Sequence, residues 1–410
     1  MSNHDHGLPV RDWRWIILLA VIIYAGLLGV GAMLGGRATT QHLLQVMGVP
    51  ALDPAFIDIR GVAGWCEASA AGKNPSLETT YITIPGEKPV LDFQMNYSPL
   101  VLTLGYLGLD QQHAPAWALI LALLYISSLW CLCGPCTARQ AYLWGVLLLS
   151  PASVLVVERG NLDMLLFALI VMALLLRKQP FGASAVILIA GLIKFFPIGA
   201  LPAIWREGGN RNRAAVFLGA TLFLMFLFLL RSRLGMIGTS LTGQYQSAFG
   251  CGVIADLLRH YGILANGNYG VTRGALDVLG VTLLSIVSAL GFFSSQAITQ
   301  HVVSDRKQYA FFLTAPFMLT LFVLGNQMDY KWIFFLPMVP AVLELLDSPE
   351  PMESGISKMW FGGILAYSYW TFFSDEGSLR NAFLKQVLMW GVMAMTAFLA
   401  SRIWRKCREL

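Results

Sequence analysis

The stretch PAWALILALLYISSLWCLC, residues 115–133, contains no acidic or basic side chain. A helix needs about 20 mainly apolar residues to cross a hydrocarbon layer of about 30 Å. The stretch therefore predicts a transmembrane helix. Comparable apolar runs lie on both sides of it and predict further spans at 15–34, 140–157, 161–176, 214–230, 275–295, 309–325, 331–346, 359–373 and 381–402.

The composition of the whole chain agrees with this interpretation. Of its 410 residues, 56% are hydrophobic and only 12% are charged, and the mean hydropathy is +0.63. A water-soluble protein could not hide so large an apolar share in one core. The apolar runs also lack the alternation of membrane barrel strands. The sequence therefore predicts an all-α polytopic membrane protein.

Basic residues cluster in short segments between the apolar runs, where they set the orientation of a membrane protein. Arg11 and Arg14 precede the first span, so residues 1–14 are expected in the cytoplasm. About 12 crossings, the number that we count, return the C-terminal tail, 403–410, to the same side. The net charge of +5 is explained by these clusters, and no basic patch suggests a nucleic-acid partner. The expected location is a cell membrane, the inner or plasma membrane of a bacterium.

Two polar regions are too long and too charged to lie within lipid. In this orientation, residues 35–114 and 231–274 form two large extracytoplasmic loops. Near the end of the first loop, residues 97–109 are apolar but too few to span. We expect them to form an interfacial helix with Pro99 in its first turn. The remaining segments divide into a transmembrane core, 115–230, and C-terminal transmembrane helices, 275–402.

A broken hairpin is predicted at residues 181–205. The basic clusters at 177–178 and 206–213 are both expected in the cytoplasm, although only about 25 apolar residues separate them. A single crossing would put the clusters on opposite sides of the membrane. The interruption Lys194-Phe-Phe-Pro197 resolves this conflict, because proline removes an amide donor and breaks a helix. Two half-helices would then meet near the outer face, with Lys194 directed into a cavity.

Ionisable residues gather at the outer ends of these segments. A charged side chain at a span end that breaks the orientation rule is a functional candidate. Asp58 could accept a proton from a hydroxyl as a general base. Arg159, Lys194 and Lys331 could hold a phosphate and stabilise its charge as it leaves. By this topology, one leaflet holds Asp58, Glu158, Arg159, Asp163, Lys194, Asp329 and Lys331.

Most of these residues also have a structural explanation, and the segment Asp329-Tyr-Lys331 could be an interfacial turn. Asp58 could be an ordinary loop residue, and Glu158 with Arg159 could be a local pair that closes a hairpin. Lys194 could be an interfacial anchor whose ammonium group reaches to water. His260 fits a surface loop residue better than a ligand. The convergence of the charges on one face favours the functional interpretation.

The cysteines provide little functional information. Cys131, Cys133 and Cys136 lie at the end of one span without a second pair of ligands, so packing is the favoured explanation. Cys66 and Cys251 both fall in the predicted outer loops and could form a disulfide, which spacing alone does not establish.

Several of these motifs resemble a known family. Phe56-Ile-Asp58 in an outer loop, followed by Tyr97-Ser-Pro99 before an interfacial helix, resembles the first module of membrane glycosyltransferases of the GT-C fold. Glu158-Arg-Gly-Asn161-Leu-Asp163, Leu192-Ile-Lys194-Phe-Phe-Pro197 and Asp329-Tyr-Lys331 resemble motifs of glycosyltransferase family 87. That family includes mannosyltransferases that depend on polyprenol-phosphate-mannose. The likeness covers most of the chain, but through short motifs.

The resemblance implies a function and roles for residues. The donor would be a polyprenyl-phosphate hexose such as mannose, and the acceptor a glycolipid or glycan hydroxyl on the extracytoplasmic side. Asp58 would be the general base of an inverting transfer, and Lys194, Arg159 and Lys331 would bind the donor phosphate. Further substrate contacts are expected from Arg60, Tyr97, Glu158, Asn161, Asp163, His260, Asp329 and Tyr330.

The chain departs from the family pattern at two places. Many members have Tyr-Pro-Pro where this chain has Tyr97-Ser98-Pro99, and its first outer loop is longer than usual, which leaves the acceptor open. Some relatives on this fold use a divalent metal held by paired acidic residues. Asp58 has no adjacent acidic partner, so we expect no cofactor and a transfer without metal, with a divalent metal kept as the alternative.

Two other functions are kept as alternatives. A transporter or lipid flippase should have ionisable residues at the middle of the membrane and two matching halves with broken helices. Here the charges gather at one face and only one broken segment is evident. A non-catalytic assembly or scaffold protein would leave the charged residues without a purpose.

Overall fold

The computed structural model describes residues 12–50, 55–76, 78, 80–82, 91–93, 95, 97–231, 248–294, 303–324, 327–373 and 378–409. These residues are mainly helical. The α-helices are α1 Trp15–Val46, α2 Ile57–Ala70, α3 Ala114–Cys133, α4 Ala138–Leu148, α5 Pro151–Glu158, α6 Asp163–Leu175, α7 Pro180–Ile193, α8 Leu201–Arg206, α9 Gly209–Leu229, α10 Val253–His260, α11 Asn266–Phe293, α12 Asp305–Leu324, α13 Val339–Leu345, α14 Pro351–Ser368, α15 Trp370–Phe373 and α16 Leu379–Glu409.

Shorter elements connect these helices. Three segments form 3-10 helices, Pro99–Leu107, Phe196–Ala200 and Asp329–Met338. Two pairs of very short antiparallel strands are also present, β1 Thr80–Ile82 with β2 Leu91–Phe93, and β3 Ala248–Phe249 with β4 Gln327–Met328. The second pair ties the second polar region to the segment that carries Lys331.

Four helices in the described part are long and apolar enough to cross a membrane. They are α3, α9, residues Gly267–Phe293 of α11 and residues Leu379–Arg405 of α16. The pair α4 and α5, bent by 55°, gives a fifth if the two helices count as one span. Large apolar side chains on these helices are exposed, among them Leu229 and Val278. The chain is therefore a helical membrane protein, whereas the twelve crossings and the GT-C fold stay predictions.

Several helices extend beyond the spans that hydropathy predicted. α1 continues to Val46, so the first polar region does not begin at residue 35. Gly35 and Gly36 each cost about 1 kcal/mol in a helix relative to alanine, but Leu44 is buried in the core and stabilises the extension. α11 begins inside the predicted second loop, α12 already begins at Asp305, and α16 continues into the predicted tail.

The predicted break at Lys194 is confirmed. α7 ends at Ile193, and Lys194 has extended backbone angles. The 3-10 helix Phe196–Ala200 follows, with Pro197 near its start, and α8 comes directly after it. Proline cannot donate the amide hydrogen bond that would continue α7. The Lys194 side chain therefore projects from the break that follows α7.

The apolar segment at 97–109 is helical, but as a 3-10 helix. Ser98 begins it, and its hydroxyl accepts a hydrogen bond from the backbone N–H of Leu100 at 3.3 Å. Pro99 lies in the first turn, as predicted, and Gly108 ends the helix with a φ of 83°. The helix packs on α2. Tyr106 on its other side is 92% exposed.

Three phenylalanines hold the two interior 3-10 helices together. The ring of Phe196 lies 5.7 Å from that of Phe317 and 5.5 Å from that of Phe334, and the last two rings are 5.2 Å apart. α12 approaches so closely that a side chain on Gly199 would lie 2.6 Å from the Phe317 side chain. The segments carrying Lys194 and Lys331 are thereby fixed against each other.

The alternative of a disulfide between Cys66 and Cys251 is wrong, because both thiols are free. Cys66 is buried between α2 and the 3-10 helix Pro99–Leu107, where burial raises its pKa to about 11. Cys251 is buried elsewhere, with its amide donating to the carbonyl oxygen of Phe322, and burial raises its pKa to about 12. Each cysteine acts as a small packing residue.

Candidate active site

The candidate site lies where α2 meets the turn between α5 and α6. The backbone N–H groups of Phe56 and Asp58 donate to the carbonyl oxygens of Glu158 and Arg159, at 2.9 and 3.1 Å. The first N–H groups of a helix have no partner within the helix, so the turn caps α2. Asp58 is held in the first turn of α2, where the helix dipole favours a negative charge.

Phe56, the residue before α2, has left-handed backbone angles. Its φ is 61° and its ψ is 36°, a region that bulky residues rarely adopt. No other described residue except glycine has a positive φ. Such a conformation costs about 1–3 kcal/mol and is often found at functional sites. It turns the chain into α2 just before Asp58.

Gly160 allows the turn to approach α2. Its φ is 60°, which favours glycine. A Cβ atom at this position would lie 2.9 Å from the Ile59 side chain and 3.3 Å from that of Phe56. A larger residue would therefore push α2 away from the turn and disturb the two capping hydrogen bonds.

Asn161 is the centre of the polar contacts and is fully buried. Its side-chain oxygen accepts the backbone N–H of Asp163 at 2.8 Å, and its NH₂ group donates to Asp58 Oδ2 at 2.5 Å. Because the backbone group can only donate, the amide oxygen must face Asp163 and the NH₂ group must face Asp58. The Tyr97 hydroxyl also forms a hydrogen bond with Asn161.

Lys194 joins the cluster from the break after α7. Its Nζ lies 2.6 Å from Asp163 Oδ1 and 3.5 Å from Asn161 Oδ1. The ammonium group also lies 4.3 Å from the centre of the Tyr97 ring, in a cation–π contact. Asp163 is completely buried, whereas 12% of the Lys194 side chain is exposed. A buried ion pair of this kind holds α6 and α7 together at the site.

Arg159 and Lys331 add two further cations. Arg159 Nη2 donates to the carbonyl oxygen of Pro50 at 3.4 Å, and its Nε lies 3.4 Å from the Glu158 carboxylate. Its charge acts directly on Asp58. Lys331 is buried, and its Nζ lies 5.1 Å from the centre of the Phe196 ring.

Asp58 is partly buried, and the pKa of its carboxyl group is raised. Burial is the main cause, since desolvation disfavours the charged form. The charge of Arg159, the hydrogen bond from Asn161 and the charge of Lys194 oppose it. A carboxylate whose pKa is raised is a stronger base, so it accepts a proton from a hydroxyl group more readily.

The cluster brings together Asp58, Tyr97, Glu158, Arg159, Asn161, Asp163 and Lys194, with Lys331 close enough for its charge to interact with those of Asp163 and Lys194. All of these residues were among the predicted candidates. Their convergence from distant parts of the chain is what the topology predicted.

Arg60 and His260 have other surroundings. Arg60 donates to the carbonyl oxygens of Ala55 and Gln111 at 3.1 and 3.2 Å, so it supports the loop around α2. It follows Asp58 by two residues, which puts it on a different side of the helix. His260 ends α10, which packs on α11 and α16, and its exposed ring lies against Tyr261. The side chains of Asp329 and Tyr330 lie outside the described residues.

Sequence reasoning missed two features of the site. It listed Asn161 only as a substrate contact, and it did not foresee the conformation of Phe56. Gly160 was the available signal, because a glycine between two polar residues at the end of a helix indicates a turn with a positive φ or a close approach.

The arrangement combines a carboxylate that can take up a proton with three basic side chains. Among the described residues, no group of three or more His, Cys, Asp or Glu side chains is placed to hold a metal ion. The chemistry that these side chains offer is proton transfer at Asp58 beside a place for an anionic group near Lys194, Arg159 and Lys331.

Comparison of the chain with models of protein families, with curated proteins and with solved structures found no match. The resemblance to family 87 therefore depends on the short motifs alone.

Replacing Gly160 by alanine tests the packing of the turn on α2. Gly262 is a matched control, because its φ is 69° and nothing lies within 4 Å of its would-be Cβ. Gly262→Ala should lose about 1–2 kcal/mol of unfolding free energy from backbone strain alone. Gly160→Ala should lose about 1–3 kcal/mol more, since the added methyl group also overlaps Ile59. Thermal unfolding in detergent measures both variants, and equal losses would contradict the tight contact.

Proposed function

We propose that the protein is a membrane glycosyltransferase that moves a hexose from a polyprenyl-phosphate carrier to an acceptor hydroxyl. The observation that carries the proposal is the link Asp58–Asn161–Lys194, in which one amide side chain touches both a carboxylate and a cation. The reaction needs both groups in one pocket, a carboxylate for the proton of the nucleophile on one face of the sugar and a cation for the leaving phosphate on the other face.

Asp58 is the general base in this proposal. The acceptor hydroxyl attacks the anomeric carbon of the sugar while its proton passes to the Asp58 carboxylate. The bond between that carbon and the phosphate oxygen breaks, and both of its electrons leave with the polyprenyl phosphate. The attacking and leaving oxygens lie on opposite faces of the sugar, so the anomeric configuration is inverted. A phosphate is a stable leaving group, so no second carboxyl acid is required.

Lys194, Arg159 and Lys331 bind the donor phosphate in this proposal. Lysine carries three N–H donors, and the contacts of Lys194 with Asp163 at 2.6 Å and Asn161 at 3.5 Å use two of them. Interactions with a developing phosphate charge are strong in a site with little water. The cations thus stabilise the transition state on the side of the sugar opposite to Asp58.

The finer parts of the proposal come from the resemblance to family 87. They are mannose as the sugar, a glycolipid or glycan as the acceptor, the extracytoplasmic side of the cell membrane as the place of reaction, and cytoplasmic termini. A transfer without metal belongs with them, because Asp58 has no adjacent acidic partner with which to hold a metal.

A transporter or lipid flippase is the second candidate. The broken helix at Lys194 favours it, because transporters bind ions and substrates at interrupted helices. The two functions differ in their product. A transferase releases polyprenyl phosphate from the donor, whereas a flippase moves the donor across the bilayer unchanged.

Replacing Asp58 by asparagine tests the general base. Transfer from polyprenyl-phosphate-mannose should fall about 10²- to 10⁴-fold, because asparagine cannot accept the proton. Donor binding should persist, since Asp58 does not hold the phosphate.

The wild-type rate should rise with pH as Asp58 loses its proton, and this rise should lie above the ordinary aspartate range because burial raises the Asp58 pKa. Asp110→Asn, at an exposed acid paired with His113, is the control. Undiminished turnover in Asp58→Asn would reject the role.

A pair of substitutions tests Lys194 as a phosphate ligand. Lys194→Met alone should cost about 3–5 kcal/mol of stability, because it leaves the buried Asp163 carboxylate without its cation. The double variant Lys194→Met/Asp163→Asn should regain most of this stability. Its affinity for polyprenyl-phosphate-mannose should stay about 10- to 100-fold weaker, as expected for a lost charged hydrogen bond.

The controls for this pair are Asp163→Asn, which keeps the lysine, and Lys358→Met, which removes an exposed lysine outside the cluster. Unfolding in detergent and donor titration give the two readouts. A double variant that is stable and binds the donor as well as Asp163→Asn does would remove Lys194 from the phosphate site.

A further inference from the structure

Asn161 contacts three charged residues of the site, Asp58, Asp163 and Lys194. It is fully buried, and its two polar atoms are already engaged by the protein, the nitrogen by Asp58 and the oxygen by Asp163 and Lys194. A buried amide in this situation has little capacity left for a sugar. Its contacts instead connect the carboxylate to the cation.

We propose that Asn161 is a positioning residue that fixes the Asp58 carboxylate for proton transfer and ties it to Lys194. This inference rests on the proposed function of Asp58. It replaces the prediction from the sequence that Asn161 contacts the substrate.

The hydrogen bond from Asn161 fixes the orientation of the Asp58 carboxylate. An aspartate carboxylate has two oxygens and can rotate about its last torsion, which has a broad energy profile. Asn161 holds Oδ2 through its NH₂ group. With Oδ2 fixed, Oδ1 is the oxygen that accepts the proton from the acceptor hydroxyl. The hydrogen bond therefore decides both the rotamer of Asp58 and the oxygen that reacts.

The protein also holds the Asn161 side chain itself in place. Its oxygen accepts the N–H of Asp163, which keeps the amide in one orientation. Gly160 immediately before it and the capped start of α2 hold the backbone on both sides of this contact. A rigid support is needed, because small displacements of a reacting group cost large factors in rate.

The hydrogen bond from Asn161 also affects the protonation of Asp58. The groups that face Asp58 are Arg159, Lys194, Asp163 and Tyr97, from four different segments. The hydrogen bond from Asn161 favours the charged form of Asp58 and thereby lowers its pKa, against the effect of burial. Loss of this bond should move the titration of Asp58 to higher pH. If Asn161 had a merely structural role, its replacement would not shift the titration of Asp58.

Two substitutions distinguish the contact made by the amide nitrogen of Asn161 from the contacts made by its oxygen. Asn161→Asp has nearly the same shape and keeps an oxygen for Asp163 and Lys194, but it no longer donates to Asp58. Asn161→Ala removes both contacts. The isosteric variant keeps the test valid if the alanine variant fails to fold.

The experiment is a pH titration of the full chain in detergent, followed by infrared difference spectroscopy of protonated carboxyl groups. The Asp58 band is identified by its absence in Asp58→Asn. In Asn161→Ala, this band should persist to higher pH than in the wild type, because the hydrogen bond that favours the carboxylate is lost. In Asn161→Asp, the carboxyl groups at positions 58 and 161 titrate as a coupled pair, so the double variant Asp58→Asn/Asn161→Asp is measured to identify the band of the introduced carboxyl group. An Asp58 titration that coincides with the wild type in the folded variants would overturn the inference.

A kinetic readout separates this inference from the proposed function. With polyprenyl-phosphate-mannose as the probe, both variants should lower kcat about 10- to 100-fold with little change in the donor KM. A lower donor affinity with an unchanged kcat would contradict a positioning role. If the wild type does not turn over any donor, the proposed function fails, while the infrared titration still decides whether Asn161 controls Asp58.

Discussion

Two backbone hydrogen bonds between the start of α2 and the turn after α5 determine the geometry of the site. They connect Phe56 and Asp58 with Glu158 and Arg159. Because they use N–H groups that a helix leaves free, they need no side chain and depend only on the close approach that Gly160 allows. This contact fixes Asp58, at the start of α2, against the turn that leads into α6.

The charges at this contact nearly balance. Asp58, Glu158 and Asp163 are opposed by Arg159, Lys194 and Lys331, and the shortest pair, Lys194 with Asp163, is largely shielded from solvent. A phosphate that enters such a site is not attracted by a large net charge. Its binding depends on the placement of N–H donors, which agrees with the proposed release of polyprenyl phosphate after each transfer. The same balance explains why removal of one partner should affect stability as well as binding.

The sequence predicted the membrane character, the break at Lys194 and the convergence of the charged motifs. These features follow from hydropathy, from the proline after Lys194 and from the distribution of basic residues, which are strong local signals. The ends of the helices were less predictable. α1 continues through Gly35 and Gly36 because the packing of Leu44 outweighs their low helix propensity, and this packing is a tertiary effect. The left-handed conformation of Phe56 and the central place of Asn161 depend on the contact between α2 and the turn, which no local pattern encodes.

The account is tested most directly by the fate of a labelled polyprenyl-phosphate hexose in proteoliposomes that contain the wild-type protein. Donors with different hexoses, mannose first, are supplied together with glycolipid extracts as acceptors. The account predicts that the donor is cleaved, that polyprenyl phosphate accumulates and that the label moves to an acceptor with an inverted linkage. Movement of intact donor across the bilayer, without cleavage of any donor tested, would contradict it and favour a flippase.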